Sequence, residues 1–244
     1  APGRFVSVMG STLVLKGASR ELVADPAGAV YSHRHPDGLW LPGGASNVGA
    51  AALTAEFGGR DLAALDAAAA RRGPAGVVVY PLVGRGERFP FAAPDAEAFS
   101  LGDAADEVDR YRALLEGVAF VERLGYERLA DLGAVVDPPV AVSGGGSGSR
   151  VWNRIRATVL GGPVMETPAA TTALGACILA AAGTLHPDLA AATEAMAAAG
   201  EVVEPADGER ETLEDSYGRF VAAVTERGWL ATRRDQRPDG DGGG

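Results

Sequence analysis

The spacing of apolar and polar positions along this chain predicts strands that alternate with helices. Short apolar runs typical of strands occupy residues 5–9, 13–16, 77–82, 140–143 and 164–166, with further extended pieces at 29–32 and 39–41. Apolar residues at helical spacing fill residues 47–57, 62–71, 104–124, 150–160, 171–182, 188–199 and 213–227. This alternation predicts an α/β fold whose sheet is covered by helices on both faces.

The first two strands predict a hairpin whose turn is Gly10, Ser11 and Thr12. Glycine permits a close approach of the backbone, while hydroxyl and amide groups donate to phosphate oxygens. A plain β-turn explains the same three residues when the segment is considered alone.

Three consecutive glycines, Gly144, Gly145 and Gly146, separate a short strand from an amphipathic helix at 150–160. A strand, a glycine turn and a helix in this order bring bare backbone to a ligand beside the partly positive end of the helix, as in nucleotide sites. The segment has neither the Gly-Lys-Ser/Thr ending of a P-loop nor the spaced glycines of a dinucleotide motif. A tight strand-to-helix connection without a ligand remains an alternative.

Composition narrows the ligand class. The 244 residues carry a net charge of −10, which argues against a nucleic-acid partner and against an anionic membrane surface. A polyanionic ligand would therefore be held by backbone amides or a metal. The lone Cys177 excludes an internal disulfide framework, and no signal peptide opens the chain, so we expect a cytoplasmic protein. The apolar run at 173–182 is too short to span a bilayer and predicts a buried helix that includes Cys177.

Other candidate residues are weaker. His33 and His35 lack a further ligand at metal-binding spacing, so we expect them on a surface loop. We expect Glu87 and Arg88 to form a structural ion pair with each other. The sequence contains no Ser/His/Asp or Cys/His arrangement that indicates nucleophilic catalysis.

Taken in order, six segments resemble the carboxy-terminal domain of the FGGY family of carbohydrate kinases. They are VSVMGSTLVLKG, WLPGGASNVGAAAL, PLVGRGERFPF, LLEGVAFVERLGY, AVSGGGSGSRVWNRIRATVLGGPV and TTALGACILAAAG, and together they span residues 5–183. Within that family, GSTLVLKG, GGASN and GERFPF are most similar to pentulose kinases of the D-ribulokinase or xylulokinase-like type. The resemblance implies an actin-like, ribonuclease-H-like lobe over residues 1–232, with a mixed sheet flanked by helices. We expect the polar end, residues 233–244, to be disordered.

The resemblance also implies a binding site for ATP and Mg²⁺. The hairpin turn matches the second phosphate-binding hairpin of the family, the triple glycine matches the adenosine motif, and the helix from Thr171 matches the connecting helix at the hinge between lobes. Ser149 falls where many members carry an adenine-contacting Asn, so this chain departs from the common family pattern at that contact. The implied nucleotide-binding residues are Gly10, Ser11, Thr12, Gly49, Gly144, Gly145, Gly146 and Ser149.

Family members bind the sugar mainly on an amino-terminal lobe and carry a catalytic Asp shortly before the second phosphate hairpin. No Asp or Glu precedes Gly10 in this sequence. The resemblance therefore implies one lobe of a kinase for a ketopentose, D-ribulose or D-xylulose, with no catalytic residue of its own and no activity alone. A non-catalytic, actin-like nucleotide-binding module that acts on a protein partner is the alternative, and a homodimer is left open.

Overall fold

The computed structural model describes residues 1–167, 171–198 and 200–230. The strands are β1 (Phe5–Met9), β2 (Leu13–Gly17), β3 (Tyr31–Arg34), β4 (Trp40–Ala45), β5 (Val78–Glu87), β6 (Ala93–Leu101), β7 (Val140–Ser143), β8 (Val164–Glu166) and β9 (Glu201–Val203). The helices are α1 (Ala51–Phe57), α2 (Leu62–Arg72), α3 (Glu107–Asp131), α4 (Arg150–Leu160), α5 (Thr172–Ala181), α6 (Leu189–Met196) and α7 (Arg210–Glu226). The predicted segments 140–143, 150–160 and 164–166 match their elements residue for residue.

Seven strands form one mixed sheet in the order β3-β4-β2-β1-β7-β8-β9. The predicted hairpin is confirmed, because β1 and β2 pair in antiparallel fashion with Ser7 opposite Leu15. β7 lies parallel to β1 on its other side, and β8 lies parallel to β7. Parallel neighbours need long crossovers, which α3 and α4 provide. The mixed sheet with flanking helices agrees with the predicted fold class.

Helices α3 and α4 pack against each other and against one face of this sheet. Gly125 lets α3 approach closely, because a Cβ at this position would lie 2.8 Å from Leu15 Cδ1. The indole Nε1 of Trp152 on α4 donates to the Leu115 carbonyl of α3 at 2.9 Å. On the opposite face of β1, Val8 remains 37% exposed. In the part of the chain described, helices therefore cover the second face of the sheet only incompletely, contrary to the prediction that both faces are covered.

The predicted strand at 77–82 forms as the first part of β5, outside the seven-stranded sheet. β5 continues to Glu87 and pairs with β6 in a separate two-stranded antiparallel sheet. Gly84 and Gly86 have positive φ angles, and the register shifts between Tyr80 and Glu87. Such irregularities let a strand bend. They also interrupt the alternation of buried and exposed residues, so the sequence pattern did not predict the part of β5 beyond residue 82.

The apolar helix at 171–182 forms, as α5, but the prediction that it is buried is wrong. Of its residues only Ala181 is buried, Leu179 is 52% exposed, and Cys177 is exposed. α5 packs mainly against α6, and the core cluster contains none of its side chains because the helix lies outside the layers formed by the sheet, α3 and α4. Within residues 1–167, 171–198 and 200–230, no helix combines the length and apolar character that crossing a membrane requires. The predicted tail, 233–244, and residue 199 of the predicted helix 188–199 lie outside the described residues.

Candidate nucleotide site

The two glycine turns predicted to contact a ligand lie side by side at one edge of the sheet. β1 and β7 run parallel with Val8 opposite Ser143, so the chain leaves both strands at the same edge. Gly144 has a φ of +88°, and a Cβ there would lie 2.5 Å from the Met9 carbonyl oxygen. A Cβ on Gly146 would lie 2.4 Å from Met9 Cγ. Glycine is therefore required at both positions for the second turn to pack against the end of β1.

The hairpin turn is oriented by the start of α1. The carbonyl oxygens of Gly10 and Ser11 accept hydrogen bonds from the amides of Ala50 and Ala51, at 2.9 and 3.1 Å. In a planar trans peptide the N–H points opposite to the C=O. The amides of Ser11 and Thr12 therefore point away from α1, as phosphate-binding donors at the edge of the sheet would.

Gly49 lies directly against this turn. A Cβ on Gly49 would approach the Ser11 carbonyl oxygen and the Thr12 Cα to 2.6 Å each. Only glycine allows α1 to begin so close to the hairpin without displacing it. Gly49 therefore contacts the hairpin turn, and its place beside the phosphates of a nucleotide stays a prediction.

The loop that leads into α1 is anchored by the buried carboxylate of Glu87. This carboxylate accepts hydrogen bonds from Ser46 Oγ at 2.7 Å, from the Asn47 amide at 2.7 Å and from the Tyr80 hydroxyl at 3.0 Å. Burial raises the pKa of Tyr80, and the nearby Glu87 charge raises it further, so the phenol keeps its proton and donates. We call Glu87, Ser46, Asn47 and Tyr80 the Glu87 cluster.

The predicted ion pair between Glu87 and Arg88 is wrong. The Arg88 guanidinium Nε donates to the Ala45 carbonyl at 2.8 Å, and only the Arg88 main-chain amide reaches the Glu87 carboxylate. Adjacent residues of an extended chain point their side chains to opposite sides, which separates the two charges. Sequence reasoning missed the role of Glu87 because its partners lie up to 41 positions away.

The triple glycine continues into a short 3₁₀ turn over Gly145–Gly148. The Gly144 carbonyl accepts from both the amide and the hydroxyl of Ser147, at 3.0 and 2.7 Å. A Cβ on Gly145 would meet no atom of the chain within 4 Å, so this residue faces open space. The turn is fixed internally at one side and open to a ligand at the other.

Ser149 begins α4 as its N-cap. Its hydroxyl accepts a hydrogen bond from the Trp152 amide at 3.2 Å, which satisfies one of the free amides at the start of the helix. The structure therefore assigns Ser149 a helix-capping role, and its contact with adenine stays a prediction.

A second buried polar cluster supports the glycine turn. Asn153 on α4 donates from Nδ2 to the Ser147 carbonyl at 2.7 Å and to Glu166 Oε1 at 2.9 Å. Arg156 donates from Nη1 to Asn153 Oδ1 at 3.3 Å, and it binds both oxygens of Glu122 on α3 at 2.6 and 2.8 Å. We call Asn153, Arg156 and Glu122 the Asn153 cluster. Polar residues three positions apart on the buried face of α4 were the signal available in the sequence.

The described residues contain no group of three or more His, Cys, Asp or Glu side chains placed to hold a metal ion. His33 is exposed in β3 and packs against Tyr31. The Nδ1 atom of His35 lies 3.9 Å from Oδ2 of Asp37. A cavity of about 810 Å³ lies at the other end of β7, around Val140 and Pro163, away from the glycine turns. The candidate site is instead an open edge formed by the two turns.

Comparison with known proteins identifies the family of this chain. A family model for the C-terminal domain of the FGGY family of carbohydrate kinases matches residues 6–184. The chain belongs to this family. The FGGY relationship confirms the resemblance read from the six segments.

Several relatives resemble this FGGY domain. A xylulose kinase from Brucella ovis is 26% identical with a TM-score of 0.82, and the match covers 95% of this chain and 49% of that structure. A xylulose kinase from Rhodospirillum rubrum is 30% identical with a TM-score of 0.75, covering 93% and 47%. The autoinducer-2 kinase of Salmonella paratyphi B is 29% identical over 184 residues, which are 73% of this chain and 33% of the relative. The chain thus spans about half the length of these structures and a third of the curated relative.

Proposed function

We propose that this chain is the nucleotide-binding lobe of an ATP-dependent carbohydrate kinase whose sugar is a ketopentose, D-ribulose or D-xylulose. One observation carries the proposal: the Gly10-Ser11-Thr12 turn and the triple-glycine turn leave parallel neighbouring strands at the same edge. A nucleotide laid along this edge reaches both turns at once. ATP supplies the transferred phosphoryl group when bound.

Each turn suits a different part of the nucleotide. The amides of Ser11 and Thr12 and their hydroxyls supply donors for phosphate oxygens. The open side of Gly145 lets a flat ring or a ribose approach the backbone, beside the amino-terminal end of α4. The charge of Mg²⁺ would be balanced mainly by phosphate oxygens, because the described side chains form no cation cage.

The sugar assignment rests on likeness alone. The Rhodospirillum rubrum relative is a xylulose kinase. In the sequence, the segments GSTLVLKG, GGASN and GERFPF resemble those of pentulose kinases. We propose that the sugar is bound mainly by residues outside this lobe and that the 244-residue chain by itself transfers no phosphate. A coupled assay for ADP formation, with D-ribulose and D-xylulose offered to this chain and to a protein that includes an amino-terminal lobe, tests both statements.

Nucleotide binding is tested by calorimetric titration of ATP into the wild type and Gly145→Val. The new side chain projects into open space, so we expect intact folding and an affinity for ATP reduced by about tenfold or more, equivalent to about 1.4 kcal/mol. Gly208→Val is the matched control, because Gly208 is also unobstructed but lies in the short 3₁₀ turn just before α7, away from both glycine turns.

Two results would contradict the proposal: a wild-type chain that does not bind ATP, or a Gly145→Val variant that binds ATP as the wild type does. ATP binding without ketopentose-dependent ADP formation by the two-lobe protein would favour a nucleotide-binding module without transfer chemistry.

A further inference from the structure

The side-chain amide of Asn153 has three hydrogen-bond partners. The residue is fully buried. Its two N–H groups serve the Ser147 carbonyl, inside the glycine turn, and Glu166, at the end of β8. Its oxygen accepts from Arg156. A carbonyl and a carboxylate only accept and a guanidinium only donates, so a single orientation of the amide satisfies all three partners.

The Arg156–Glu122 pair fixes that orientation. Both side chains are fully buried, and the guanidinium binds the carboxylate through two parallel hydrogen bonds. Such bidentate geometry adds directional constraint to the charge attraction. Because Glu122 lies on α3 and Arg156 on α4, the pair holds the Asn153 oxygen in place relative to the helical layer.

We propose that Asn153 is a positioning residue of the nucleotide site, which fixes the glycine turn through the Ser147 carbonyl and is itself fixed by the Arg156–Glu122 pair. The proposal rests on the proposed nucleotide binding. A turn of glycines has unusual backbone freedom, and ordering it on binding costs free energy. The Asn153 cluster orders the turn before the ligand arrives, from residues that do not touch the ligand.

The experiment compares three variants with the wild type. Asn153→Ala removes the hydrogen bond to the turn. The double variant Glu122→Leu/Arg156→Met replaces the buried pair by apolar side chains, a change that often leaves stability unaffected, but it frees the Asn153 amide. Thr158→Val is the control. Thr158 lies on the same helix as Asn153, near the other end of α4, and the change removes a buried hydrogen bond that its hydroxyl accepts from the Ala206 amide.

Two measurements are made on each protein: calorimetric ATP affinity and hydrogen exchange of the amides of residues 144–149. We expect Asn153→Ala to lower ATP affinity about tenfold and to speed exchange in the turn by a similar factor. We expect the double variant to show smaller changes in the same direction. Thr158→Val should change neither quantity by more than about twofold at temperatures well below its unfolding transition.

Unchanged exchange in the turn of Asn153→Ala would overturn the inference, as would an equal loss of ATP affinity in Thr158→Val. Hydrogen exchange reports on the turn without any ligand. A wild-type chain that fails to bind ATP would therefore refute the proposed function, while the positioning role of Asn153 would still be decided by the exchange data.

Discussion

The two turns of the candidate site are supported by buried clusters of different chemistry. On the hairpin side, the Glu87 carboxylate accepts hydrogen bonds from two hydroxyl groups and from main-chain amides, and no guanidinium among the described residues pairs with it. On the glycine-turn side, Asn153 is held by an ion pair between Arg156 and Glu122. Each cluster fixes a segment that has little regular secondary structure of its own.

The two clusters differ in whether their hydrogen-bonding groups can exchange donor and acceptor roles. The hydroxyls of Ser46 and Tyr80 rotate, so they can accept a hydrogen bond as well as donate one. The Ser147 carbonyl on the other side only accepts, and Arg156 only donates. The Glu87 cluster is therefore adaptable, whereas the Asn153 cluster allows one arrangement.

Arg156→Ala should produce the largest effect, because it leaves the Glu122 carboxylate buried without its partner. We expect a loss of about 3–5 kcal/mol in the free energy of unfolding, measured by urea titration. Arg154→Ala on the exposed side of α4 is the control and should change stability by less than about 0.5 kcal/mol. Equal and small losses of unfolding free energy in both variants would show that the Arg156–Glu122 ion pair does not distinguish the Asn153 cluster from the Glu87 cluster.

A third buried carboxylate, Glu116, belongs to neither cluster and should dominate the response of stability to pH. Burial raises the pKa of Glu116 to about 7, although Arg112 and the Ala75 amide lower it and Glu209 raises it further. The folded chain therefore binds a proton that the unfolded chain releases at about pH 4.5. The resulting stabilisation is complete below this pH and is lost as the pH rises through 7.

Urea titrations from pH 5 to pH 8 test this assignment. We expect the wild type to lose up to about 3 kcal/mol relative to Glu116→Gln over this range, since the amide does not titrate. Identical pH profiles for the two proteins would show that Glu116 does not set the pH dependence of stability.

The smallest expected effect compares one isosteric change in each cluster. Glu87→Gln should cost about 1 kcal/mol, because the Ser46 and Tyr80 hydroxyls can turn to accept from the new amide. Asn153→Asp should cost about 2–3 kcal/mol, because it sets a carboxylate against the Ser147 carbonyl and Glu166, neither of which can donate. Equal costs by urea titration at pH 7 would show that the hydroxyl rotations do not matter.

Much of the fold was predictable because its signals are local. The hairpin, the strand at 140–143 and the helix at 150–160 follow from apolar spacing and from glycines between the elements. β6 was missed because it has no β-branched residue and contains Pro94 and three alanines, residue types that are depleted in strands, and β9 because it is short and has a single buried residue. The exposure of α5 could not be predicted, since ten apolar residues in a row indicate a helix but not what covers it.

By itself, the sequence determined most of the strands and helices, in their order along the chain, and the positions of both glycine turns, because turn chemistry and apolar periodicity act between near neighbours. Only the tertiary structure decided that the two turns share one edge, which depends on the parallel pairing of β1 with β7 across more than a hundred residues. It also decided the partners of Glu87 and Asn153. Buried polar groups must find partners wherever the packed chain supplies them, and that supply comes from packing between segments distant in the sequence.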